Sequence, residues 1–80
     1  MEKKQFAHRY QIQLDTMQDC NDFVAAVTPC KGKVYLMDAN NEFRIDSKSQ
    51  LGVMMATAEW SELYVVSDEE IAGAISKFIV

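Results

Sequence analysis

Eighty residues with about half of them apolar (49%) suit one small folded domain over 1–80, because disordered chains carry far less hydrophobic material. Twelve acids against eight bases leave a net charge of −4, with no dense cluster of Lys and Arg. Direct nucleic-acid binding is not expected, since phosphate neutralisation needs such clusters. The opening MEKKQFAHRY has no apolar run of signal-peptide type, and the longest apolar stretch, Leu51 to Ala56, is far too short to span a bilayer. The expectation is a soluble, cytoplasmic protein. Cys20 and Cys30 lie ten apart and form no CxxC pair. With one His they make no credible metal set, so two reduced thiols and no cofactor are expected.

The first element alternates. Phe6, His8, Tyr10, Ile12 and Leu14 share one face, and Ala7, Arg9, Gln11 and Gln13 share the other. Period two with one polar face predicts a strand covered on one side. His8 falls on the covered side, where a partly buried ring bonded to a neighbour is the simple expectation. Asp15 and Thr16 then open a helix in which Met17, Cys20, Phe23, Val24 and Val27 recur at three- and four-residue steps. Either residue can cap it, and Asp19 and Asp22 favour the positive end of its dipole. Thr28-Pro29 ends it.

Lys31-Gly32-Lys33 reads as a turn and Val34 to Met37 as a strand. Ala39-Asn40-Asn41 reverses the chain, and residues 42–46 return with Phe43 and Ile45 on one face, completing a hairpin. Residues 47 to about 56 form a short helix, and 62–66 another strand of β-rich composition. Ser67-Asp68-Glu69-Glu70 has the form of a capping box for a last helix that buries Ile71, Ala74, Ile75, Phe78 and Ile79. The order β-α-β-β-α-β-α predicts an α+β open-faced sandwich, a four-stranded antiparallel sheet with its helices on one face.

This order, together with NEFRIDSKSQLGVMM over 41–55, resembles HPr, the small phosphocarrier of the bacterial sugar phosphotransferase system. Lys48-Ser49 matches the family's Lys-Ser, and Gly52-Val53-Met54 its Gly-Val-Met. The resemblance implies the family's open-faced β-sandwich. The family phosphorylates a His in a His-Ala-Arg-Pro run at the first helix. Here Thr16 stands at the His and Gln18 at the Arg, to within one position, and Asp19 falls where the Pro would be. A hydroxyl cannot replace imidazole in reversible phosphoryl relay. Asp15, Asp19 and Asp22 put carboxylates where a phosphoryl group needs amides and cations. A non-enzymatic member without His phosphotransfer is expected, similar to the family's catabolite-repression homologue.

The resemblance also implies a second site, a serine at the start of the middle helix phosphorylated by an ATP-dependent kinase, and places it at Ser49. The residues alone leave Ser47 and Ser49 equal, and either suits a plain N-cap. Lys48 is adjacent and could screen an added phosphoryl group. Gln50, Leu51 and Met54 match positions by which the family grips its partners, and Leu51, Met54 and Met55 lie at i, i+3 and i+4. Val53 and Met55 divide between core and surface, and Trp60 between loop packing and a second contact. The implied partners of a monomeric domain are an HPr serine kinase and a transcriptional regulator or an enzyme I-like protein, without nucleic acid or membrane. Two other readings stay open: a phosphocarrier acting through a non-standard residue, and a scaffold that reads no phosphate.

Overall fold

The alternating first segment forms strand β1, His8–Ile12, in a computed structural model that describes residues 6–80. Helix α1 follows over Met17–Val27, then strands β2, Val34–Met37, and β3, Arg44–Asp46. Helix α2 spans Gln50–Glu59, strand β4 Leu63–Ser67, and a single-turn helix α3 Ala72–Ile75, which runs into a 3₁₀ turn at Ser76–Phe78. The four strands make one antiparallel sheet in the order β1-β4-β2-β3. This is the expected open-faced α+β sandwich.

The strand placed centrally is the one least able to face water. Leu63, Val65, Val66 and Ser67 of β4 are all buried. On its helix-facing side, Leu63 and Val65 join Ile12, Val34 and Leu36 under a layer of Phe23 and Val27 from α1, Val53 and Ala56 from α2, and Ile75 from α3. The Phe23 ring meets Phe78 edge to face at 5.8 Å, tying the chain's end to α1. On the other side Val66 sits between its register partners Arg9 and Tyr35. That open face is furnished with stacked cations: Arg9 lies 4.1 Å from the Tyr64 ring centre and Arg44 4.6 Å from that of Tyr35.

Local chemistry shifts several boundaries. The hairpin's return strand begins at Arg44, later than the 42–46 pattern predicts, because Asp38 Oδ1 accepts from the amides of Glu42 (2.8 Å) and Phe43 (3.1 Å). Phe43 therefore stays in the turn and exposed, while Ile45 packs on the core. Asn41 takes the left-handed conformation (φ 58°), as the reversal requires. In α1 the apolar stripe holds at Cys20, Phe23 and Val27, but Met17 is exposed at the helix's first turn. His8 is half-buried, its Nδ1 3.3 Å from the Tyr10 hydroxyl.

The largest departure lies after β4. Ser67 does not cap a helix: it is the last residue of β4, paired with both His8 and Val34. Its Oγ instead accepts from the Glu69 amide at 3.1 Å. The Glu70 carboxylate accepts from the Ala72 amide (2.6 Å) and the Tyr10 hydroxyl (2.8 Å), which holds the segment onto β1. A two-sided strand register outweighs a local capping pattern here. The last helix shrinks to one turn, burying Ile71, Ile75 and Phe78 but leaving Ala74 and Ile79 exposed. Ile79 bridges Ile12, and the Val80 amide donates to Gln11 O at 3.1 Å, so the chain's last residues extend the sheet beyond β1.

Cys20 is buried and Cys30 half-buried, and both are free thiols. Among the described residues no helix is long and apolar enough to cross a membrane. Because Phe23 is wholly buried and joins α1 to Phe78, Phe23→Ala should cost about 3–5 kcal/mol. A urea unfolding midpoint that hardly moves would show that this seam does not hold the layers together.

Candidate functional site

Two helix starts carry the residues of interest, and they are built differently. At α1, Thr16 is the N-cap and forms a full capping box. Its Oγ1 accepts from the Asp19 amide at 3.0 Å, and Asp19 Oδ2 accepts in return from the amides of Asp15 (2.9 Å) and Thr16 (3.3 Å). The helix's own carboxylate thus occupies donors that a phosphoryl group would need. Gln18 is equally engaged, its Nε2 donating to Asp22 Oδ1 at 2.8 Å. Asp22 Oδ2 in turn accepts from Lys77 Nζ at 3.2 Å. The Gln18 bond and, next, the Lys77 bond hold the Asp22 carboxyl below the usual carboxylate range. Thr16 and Gln18 are both exposed, yet both belong to a closed set of caps and side-chain bonds.

At α2 the sequence offers two serines, and the register of β3 separates them. Ser47 continues the alternation of Ile45 onto the core side, and its amide donates to Val34 O at 2.9 Å. It is fully buried, with no hydrogen-bond partner for its hydroxyl among the described residues. The chain then turns, the Ser49 amide donating to Asp46 O at 3.0 Å, so α2 begins at Gln50 and not at 47. Ser49 becomes the N-cap: its backbone is extended (φ −96°, ψ 111°), and its exposed Oγ accepts from the Gly52 amide at 3.2 Å. Gly52 is closely fitted, since a Cβ there would stand 3.3 Å from both Ser49 Oγ and Ile45 Cδ1.

Lys48 does not screen its neighbour. Its ammonium reaches away to the loop after α1 and donates to Cys30 O (2.7 Å) and Gly32 O (3.2 Å). There it satisfies carbonyls past the C-terminus of α1 and staples the β3–α2 turn to that helix. Gln50 Nε2 donates to Asn21 Oδ1 of α1. Cys20 Sγ of α1 lies 3.8 Å from Thr57 Oγ1 of α2, a second contact between the two helices.

The first turns of α2 present apolar surface. Leu51 is 69% exposed and Met55 54%, one turn apart on one face. Met54 does not share that exposure; it is half-buried against the core, and Val53 is wholly buried. The surface that the pattern predicts for Leu51 and Met54 is therefore carried by Leu51 and Met55. Trp60 ends α2, its amide donating to Ala56 O at 2.8 Å, and its half-buried ring packs on the core. No cluster of three or more His, Cys, Asp or Glu able to hold a metal occurs among the described residues. No family model matches the chain, and no curated protein or solved structure matches it.

The two serines should respond oppositely to alanine. Ser49→Ala removes a cap and should cost about 0.5–2 kcal/mol. Ser47→Ala removes an unpartnered buried hydroxyl and should be neutral or stabilising by up to about 1 kcal/mol. Parallel denaturation of the two variants checks this, and equal losses would contradict the placement. At α1, a depressed folded pKa adds stability above the unfolded value, lost as pH falls through the folded one. NMR titration should place Asp22 below the usual range, with Gln18→Ala raising it. The stability gap between the two proteins should close as pH falls below about 4.

Proposed function

We propose that this chain is an HPr-like regulatory module of the bacterial cytoplasm, a protein-binding domain and not an enzyme, switched by phosphorylation at Ser49. The observation that carries this reading is the exposure of Ser49 at the start of a ten-residue helix whose first turns also expose Leu51 and Met55. Added negative charge there is favoured by the helix dipole and by the first-turn amides. It also changes the charge at the start of the helix that bears the apolar pair, without entering the core. A methionine-bearing face of this kind adapts to partners of differing shape. The partners in this reading are an HPr serine kinase and a regulator or enzyme I-like protein that reads the α2 face.

The self-contained cap at Thr16 and Asp19 supports the absence of phosphoryl relay at α1, since relay needs a nucleophile and vacant donors together. Because Lys48 is committed to the Cys30 and Gly32 carbonyls, the phosphoserine is held by helix amides and presented outward, without an ion pair to its neighbour.

Intact mass after incubation with ATP and an HPr serine kinase tests the switch. One phosphoryl group on the wild type and none on Ser49→Ala is the expected result. No addition to the wild type would reduce Ser49 to a cap. Addition to the alanine variant would point to another hydroxyl. Leu51→Ser together with Met55→Gln should leave the unfolding midpoint nearly unchanged, because both side chains are exposed, while abolishing retention by a regulator that binds the phosphorylated wild type.

A further inference from the structure

At the end of the sandwich where α2 passes into β4, a recess of about 380 Å³ opens between that connection and the β1–α1 loop. Its size lies at the low end of the roughly 300–1,000 Å³ of small-molecule sites. Its lining is mainly polar, with Gln11, Gln13, Asp15, Ser61 and Glu62 around Trp60 and Leu14. Among the described residues no Lys, Arg or His lines it.

Each carboxylate is positioned by one neutral donor. Gln13 Nε2 donates to Asp15 Oδ1 at 2.7 Å, and the Tyr64 hydroxyl donates to Glu62 Oε1 at 2.9 Å. Neither carboxylate forms an ion pair among the described residues. Lys77 borders an adjoining hollow with Asp15 and Asp19, but its ammonium is held 3.2 Å from Asp22, and the Arg9 guanidinium is stacked 4.1 Å from the Tyr64 ring centre. Among the described residues the recess therefore has two carboxylates and Trp60 in its wall and no cationic side chain.

From this geometry we infer that the recess is a binding site for a small aliphatic amine, with its ammonium toward Asp15 and Glu62 and its chain beside Trp60. An ammonium group gains from both the carboxylates and the indole quadrupole, most of all where water is partly excluded. An anionic ligand is repelled by the same groups. A neutral ligand of the same length gains only the apolar contact. The ammonium can belong to a free diamine or to a lysine side chain, and these share the chemistry the recess selects.

Trp60 is the chain's only tryptophan, so its fluorescence reports on this site directly. The wild-type protein at low salt is titrated with 1,5-diaminopentane, with 1,5-pentanediol as the uncharged counterpart, and with Nα-acetyl-lysine amide. A saturable change with diaminopentane at millimolar concentration or below, absent with the diol, is expected. Glu62→Gln and Asp15→Asn, each checked for an unchanged unfolding midpoint, should weaken it about tenfold or more, as the loss of a charge-assisted bond does. Equal saturation by the lysine derivative supports the site with a single ammonium as the recognised group, and preference for the diamine supports it with both carboxylates engaged. No saturable response to either amine, or an equal response to the diol, overturns the inference.

Discussion

The insertion of β4 between β1 and β2 is the constraint from which the rest of this structure follows. Its sequence, LYVVS, is buried on both faces, so it needs a strand on each edge and cover above and below. The register it imposes, His8 and Val34 both opposite Ser67, fixes which side chains of β1 and β2 meet the helices. With Ile12, Leu36 and Val65 turned to one side, α1 and α2 must lie against that side. The opposite face is left to Arg9, Tyr35, Tyr64 and Arg44, whose cation–π stacks shield Val66 while remaining wet.

The same register reaches the candidate switch through β3. Pairing of β3 with β2 is short, but it carries on far enough for the Ser47 amide to find Val34 O. That single bond turns one serine inward and leaves the next but one to cap α2. Lys48, between them, completes the arrangement by anchoring the turn to carbonyls past the end of α1. Exposure of Ser49, burial of Ser47 and the outward face of Leu51 and Met55 are thus one event of strand pairing, not three independent features.

Charge separates the two helix starts. The first is filled by its own carboxylates, with Asp19 closing the cap and Asp22 shared between Gln18 and Lys77. The second has no acidic residue in its opening turn and only a serine hydroxyl on its amides. A helix N-terminus attracts negative charge in either case. At α1 that attraction is already satisfied within the chain, whereas at α2 it is available to an added group. The proposed division of roles, a silent first helix and a modifiable second one, rests on this contrast.

By itself the sequence determined the element order, the covered side of β1, the Cys20–Phe23–Val27 seam and the Asn41 reversal. Each depends on periodicity or on the backbone preference of one residue, which are local properties. Tertiary structure decided what local pattern could not. Ser67 follows a capping-box pattern but belongs to a strand, because two flanking strands hold its backbone more firmly than a cap would. Ser47 and Ser49 are alike in sequence and opposite in burial, because the Ser47 amide is still held by Val34 O of β2, whereas the chain has turned away from the sheet before Ser49 caps α2. Met54, expected on the surface, packs on the core, and Met55, left between core and surface by its pattern, is exposed, because the packing of α2 on the sheet and α1 decides which of the two adjacent side chains faces inward. The recess beside Trp60 had no sequence signal at all: its walls come from segments roughly 45 residues apart, and only the sheet brings them together.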